Sequence, residues 1–237
     1  MRRSSILGLA IVLVAGLPAW GQSGLVISEI MYNPESPEDA WEWIEIANLT
    51  DTAVDLAGWV LDDNNGTAVV TANILTGTVP PGGCAVLFNA EDLSSSEFAA
   101  AWPEVHSLIP VFPWAAGGLN NGGDAIGLWA SFGDYEGDHE DHDHVALGLT
   151  YDDTHPWPGD DGAASIQLLR TDLDPTDGAN WALSAEGDAL GSRRSTATAT
   201  NNGLDVGRPG VVRGALFADG FEGGHAGAWS AAVPPLP

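Results

Sequence analysis

The chain has a single cysteine, Cys84, no lysine, and no long apolar run beyond its first twenty residues. One thiol cannot close an internal disulfide, so the fold has to be held by packing and hydrogen bonds. Without lysine, the seven basic residues are all arginine, set against 33 acidic ones for a formal net charge of −26. Charge of that size and sign repels phosphate backbones and anionic membrane surfaces over a Debye length of roughly 8 Å, which argues against nucleic acid as a partner. The lack of a later run near the roughly 20 apolar residues that cross a bilayer argues against a membrane span.

What is present begins with a leader. Arg2 and Arg3 precede an apolar run from Ile6 to Leu17, and the small residues Ala19 and Gly21 flank Trp20. That order is the pattern of a secretory signal peptide cut before Gln22, so an exported chain is expected, extracellular or in the cell envelope. The division expected along the chain is a leader at 1–21, a folded domain at 22–185, a linker or edge segment at 186–214 and a tail motif at 215–237.

Apolar residues make up 44% of the chain and include 10 tryptophans, enough to build a core despite the charge. Short β-type runs recur between turn signals: Leu25–Met31, Trp41–Ala47, Gly58–Asp63, Thr67–Ile74, Cys84–Phe88, Ala125–Ala130, Val145–Tyr151 and Ala164–Leu169. Asn65-Gly66 suits a two-residue hairpin turn, and Gly122-Gly123 a tight entry into the following strand. The pattern predicts an all-β fold of the β-sandwich type. One short helix is expected where Ser94 and Glu97 form a capping box that Pro103 closes, plugging an end of the sandwich. Trp43 and Trp59, in strand runs, are expected to fill the space between the sheets. Cys84 reads as a small core residue. Beyond Trp181 the small, polar, glycine-rich sequence predicts a loosely ordered tail.

The runs "VISEIMYNP", "EWIEIANLTDTAVDLAGWVLDD", "VPPGGCAVLF", "LNNGGDAIGLW", "YDDTHPWPGDDGAASIQLL" and "ANW", in that order from Leu25 to Trp181, resemble a bacterial lamin-tail domain. The resemblance implies an immunoglobulin-like sandwich and a non-catalytic module of exported bacterial proteins. The closing "FADGFEGGHAGAWS" resembles a short terminal tail of other secreted bacterial proteins, a sorting or attachment signal. Two departures stand out. The chain carries Cys84 where the family commonly has an aromatic residue, and it carries "FGDYEGDHEDHDH" where the family has a short turn. The association of eukaryotic lamin tails with chromatin does not carry over to a chain with so few cations.

Within that insertion, Glu136 to His144 set three histidines among five carboxylates. The candidate metal ligands are Asp138, His139, Asp141, His142, Asp143 and His144. His142 and His144, two apart, share one face of an extended strand, with His139 as a third imidazole. Zinc, copper or nickel would favour the imidazoles, and calcium the carboxylates. The period-two pattern of Val145, Leu147, Leu149 and Tyr151 ends burial near Val145, which leaves the cluster in water as a hairpin tip or strand extension. "DLDPTDG", Asp172 to Gly178, misses EF-hand spacing and reads as a turn.

Glu29, Glu42 and Glu45 could be taken for a catalytic carboxylate pair, but in alternating strands they are expected to face solvent or bond loop amides. The leading expectation is therefore a secreted, non-enzymatic module for binding or cell-surface organisation, with an unidentified protein or cell-surface component as partner. No cofactor is expected beyond a weakly bound divalent cation. The alternatives are a metal-dependent hydrolase and an extracellular cation-binding protein, each centred on the His139–His144 loop.

Overall fold

A computed structural model describes residues 24–62, 73–114, 118–139 and 145–212. In chain order the elements are β1 (Leu25–Met31), α1 (Glu38–Trp41), β2 (Trp43–Asn48), β3 (Val54–Asp55), β4 (Val60–Asp62), β5 (Thr78–Val79), β6 (Cys84–Asn89), α2 (Ser95–Ala101), β7 (Leu108–Val111), β8 (Gly123–Trp129), α3 (Phe132–Asp138), β9 (Leu147–Asp152), β10 (Ile166–Leu168), β11 (Trp181–Leu183), β12 (Arg193–Arg194) and β13 (Val206–Gly207). The expected leader at 1–21, the expected turn at Asn65-Gly66, most of the run expected over Thr67–Ile74 and the expected tail motif at 215–237 lie outside the described residues.

The chain is mostly β. Six strands form one sheet in the order β11-β10-β1-β2-β6-β7, and β4-β8-β9 form a three-stranded one. The pair β6-β7 is parallel, while the other pairings of the large sheet are antiparallel. Pro110, in edge strand β7, lacks the N–H that would extend the ladder, which blunts that edge.

β1, β2 and β6 are buried along their whole lengths because the large sheet is covered on both faces. On one face Ile30, Ile44, Ile46 and Leu87 share a core with Leu61, Ile126, Leu128 and Leu149 of the small sheet. On the other, Met31, Trp43, Val86 and Phe88 pack under Phe98, Ala101 and Trp102. Trp43 thus lies on the far face and not between the sheets, edge-on to Trp102 with ring centroids 6.2 Å apart. Period two explains this, since Trp43 has the opposite parity to Ile44 and Ile46.

The capping box forms as expected. Ser94 Oγ accepts from Glu97 N, Glu97 Oε2 accepts from Ser94 N at 2.9 Å, and α2 stops at Ala101 ahead of Pro103. The helix covers a sheet face; it does not plug an end. Nor is it alone: α3 is a second seven-residue helix, and α1 adds a single turn. At the entry to β8, Gly123 has φ +113°, and a Cβ there would stand 2.8 Å from Tyr151 O, so the tight approach requires glycine.

The segment expected to be loose is built in up to Val212. β12 pairs with β13, and Val206 bridges Ala164 in parallel. Thr196 N donates to Ala101 O at 2.8 Å, and Trp41 Nε1 donates to Thr200 O at 2.9 Å. Ser195, Asn201 and Asp205 are buried in a hydrogen-bonded network: Ser195 Oγ donates to Asn201 Oδ1 at 2.8 Å, Asn201 Nδ2 to Asp205 Oδ2 at 2.9 Å, and Ser36 N to Asp205 Oδ1 at 3.0 Å. Residues 193–212 therefore act as a strap across the large sheet.

Candidate functional site

The strap covers a row of polar side chains that strand register lines up. Glu29 of β1 stands opposite Glu45 of β2 on one side and Gln167 of β10 on the other. A register shift between Ile27 and Glu29 marks an irregularity in β1, at Ser28. Glu29 and Glu45 are both 0% exposed. Two carboxylates facing each other across a strand pair are unfavourable, and buried ones need donors. The chain supplies them. Glu29 Oε1 accepts from Ser165 Oγ at 2.5 Å and from Arg208 N at 2.8 Å. Glu45 accepts from Ser28 Oγ at 2.7 Å and from Gly210 N at 2.6 Å. Gly210 has φ +86°, and a Cβ there would lie 2.8 Å from Val105 Cα, so only glycine brings this amide onto Glu45.

Glu42, also buried, accepts from Trp114 Nε1 at 2.7 Å and Leu119 N at 2.9 Å. These three glutamates bond loop and strap amides, one of the two settings expected for them, and do not face solvent. They hold the architecture and are sealed from any substrate.

The acidic histidine insertion starts as structure and not as a tip in water. Ser131 Oγ accepts from Asp134 N and caps α3, which docks on the outer face of the small sheet. Tyr135 packs against Trp129 with ring centroids 5.1 Å apart, and its hydroxyl donates to Asp62 Oδ2 at 2.5 Å. Trp129 Nε1 donates to Asp138 Oδ2 at 2.9 Å, and Asp138 is buried. His139 follows at the helix C-cap, its ring 5.5 Å from that of Tyr135. Of the six candidate ligands, then, Asp138 is turned to Trp129 and His139 to Tyr135. Asp141, His142, Asp143 and His144 lie outside the described residues. Among the described residues, no group of three or more His, Cys, Asp or Glu side chains is placed to hold a metal ion. Asp62, Trp129 and Tyr135 were not singled out in the sequence. The Ser131–Asp134 cap was the available signal.

At one end of the sheets several loops meet. Asn33 Nδ2 donates to Asp160 Oδ2 at 2.5 Å, Asn121 Nδ2 donates to Glu38 Oε1, and Tyr151 OH donates to Asn120 O at 2.9 Å. Asp152, Asp160 and Asp161 hold the loop after β9 through short-range bonds to Thr154, Gly162, Ala163 and Ala164. The Thr154 hydroxyl and N–H hold the Asp152 carboxyl below the usual range. Tyr32 stacks beneath on Tyr151, at 5.0 Å between centroids. Burial, then Asp160, Asp153 and Asp161, push its phenol well above the ordinary value. The result is an acidic, internally braced surface at that end.

Among the described residues the arginines offer no counterpart. Arg170 pairs with Asp172 at 2.9 Å, Arg194 with Glu186 at 2.8 Å and Arg193 with Glu104, while Arg208 Nη1 donates to Leu190 O. Among the described residues no helix is long and apolar enough to cross a membrane.

A β-rich module whose buried acids serve its own backbone is the class that fold and site define. The family model for the Lamin Tail Domain matches residues 19–147, more than half of the chain, and the chain belongs to that family. The motifs after Leu147, from "YDDTHPWPGDDG" to "ANW", fall beyond the matched region. Comparison with curated proteins and with solved structures returns no match. Family membership and the lack of a described metal cluster are consistent with a non-catalytic protein.

Proposed function

We propose that this chain is an exported, non-catalytic lamin-tail module of the immunoglobulin-like sandwich type, extending through the strap to Val212, and that it binds a cell-surface or extracellular protein through its acidic loop end. The observation that carries this reading is the use made of its acids. Glu29, Glu42 and Glu45 are buried and accept from the chain's own amides and hydroxyls, whereas Asp160 and Asp161, which brace their own loop, stay exposed at the loop end beside the half-buried Asp153. The tail motif at 215–237 is, in this reading, the bacterial sorting or attachment signal.

The test is recovery of partners from the native cell envelope with the full chain as bait, with and without chelator. Chelator-insensitive capture that weakens in Asp153→Asn supports the reading; chelator-sensitive turnover of an ester or nucleotide overturns it. The cation-binding and hydrolase alternatives centre on the His139–His144 loop, and the bond from Trp129 to Asp138, which engages one of the six candidate ligands in packing, weighs against them. Calorimetric titration with zinc, copper and calcium decides that point: no heat at micromolar protein ends both.

A further inference from the structure

At the end of the sheets where the loops meet, one polar group is left without a use. Tyr32, the residue after β1, is 1% exposed, and its hydroxyl has no hydrogen-bond partner among the described residues. The stack on Tyr151 fixes its ring. The loop that follows Tyr151 brings Asp160, Asp153 and Asp161 into the field of that hydroxyl, and Asn33, next to Tyr32 in the chain, ties the loop down through Asp160 Oδ2 at 2.5 Å. Asp160 Oδ1 accepts from Gly162 N at 2.8 Å and Asp161 Oδ1 from Ala164 N at 2.9 Å, so the loop itself positions these acids. Asn121 Oδ1, at the same end, is a second buried oxygen without a partner. Burial, then the three aspartates, push the phenol well above its ordinary range, so it stays neutral, with an oxygen able to accept and a proton able to reach a carboxylate.

We propose that this end is a receptor for an arginine side chain presented by a partner protein, its guanidinium set between the Tyr32 hydroxyl and the carboxylates of Asp153, Asp160 and Asp161. The inference rests on the reading of the loop end as the binding face. The donor has to come from outside, because the chain has no lysine and Arg170, Arg193, Arg194 and Arg208 are each engaged elsewhere. A metal ion fits less well, since among the described residues no three acid or imidazole groups are placed to coordinate one. A guanidinium needs no such convergence: its five N–H donors fan out in a plane towards separate acceptors. It is also more weakly hydrated than an ammonium, which suits it to a covered oxygen. The exposed carboxylates of Asp160 and Asp161 draw the cation in, and Asp160 exchanges its Asn33 partner for the incoming donor as the side chains over Tyr32 part.

Tyr32→Phe is the decisive variant. In the free protein the hydroxyl bonds to nothing, so its removal leaves the fold intact and deletes a contact to the ligand alone. The probe is N-acetylarginine methylamide, titrated into the full chain at physiological salt and followed by amide chemical shifts. Saturable shifts are expected at Asn33, Asp153 and Gly162, weaker with the lysine analogue and absent with the uncharged citrulline analogue. Tyr32→Phe and Asp153→Asn should each weaken binding by about three- to tenfold. Asp51→Asn, which removes a charge at the opposite end of β1 and β2, should leave it unchanged. The absence of saturable shifts, equal binding of the lysine analogue, or undiminished binding by Tyr32→Phe would overturn the proposal. If the probe fails while envelope capture still succeeds and still weakens in Asp153→Asn, the loop end binds a partner by other chemistry. If the probe binds at Tyr32 but no partner is captured, the receptor stands and the cell-surface reading falls.

Discussion

Two polar segments each close a sheet face, and they are held in opposite ways. The strap over 193–212 donates backbone N–H groups at Arg208 and Gly210 to carboxylates that β1 and β2 carry. Helix α3 is held by side chains, with the Tyr135 hydroxyl on Asp62 and the Trp129 indole on Asp138. A backbone donor withdrawn from a buried carboxylate leaves an uncompensated acid in the sheet's interior, whereas losing the Tyr135 hydroxyl withdraws one donor from Asp62, the most exposed of the buried groups joined at α3. The strap is thus an integral layer, and α3 an attachment.

The comparison can be broken most severely by shortening the chain. A protein ending at Val212 should unfold at the same temperature as the full chain, while one ending at Arg194 should fail to give a cooperative transition, checked by calorimetry. If both melt alike, the strap is dispensable. Next in size, Glu45→Ala should lower unfolding free energy by about 3–5 kcal/mol in urea titration, since Ser28 Oγ and Gly210 N lose a buried acceptor. Tyr135→Phe should cost about 1–3 kcal/mol and raise hydrogen exchange in α3 while leaving strap amides protected.

Smaller effects sharpen the contrast by pH. The folded pKa of Asp188 lies below its ordinary 3.8, so its contribution is present above that value and lost as pH falls through the folded one. Ser192→Ala should flatten that acid slope. Tyr32 has a folded pKa raised above 10.0, so its contribution is whole below pH 10 and lost as pH rises further. Tyr32→Phe should leave stability at pH 7 within about 0.5 kcal/mol and reduce the alkaline loss, measured by absorbance-detected titration and unfolding.

Much of the fold could be read in advance because it rests on local rules. The alternation in "VISEIM" and "WIEIAN" located β1 and β2, Ser94 with Glu97 located α2, and "DLDPTDG" proved a turn, with Asp174 Oδ1 accepting from Thr176 N at 2.9 Å. The strap was not legible, since "STATATNNGLDVGRPG" has no apolar period and its bonds go to acceptors more than a hundred residues away, as from Arg208 to Glu29. Nor was α3: an acidic, glycine-containing stretch has low helix propensity, and beyond the Ser131 cap it is Tyr135 and Asp138 meeting Asp62 and Trp129 that favour it.

By itself, then, the sequence determined a β-rich lamin-tail chain, strongly acidic, with one capped helix and no disulfide, because periodicity, capping and composition act over a few neighbouring residues. Which acids are buried and which remain open was decided only in three dimensions. Strand parity allows a glutamate either face, and the donor that permits burial arrives from a segment whose position no local pattern specifies.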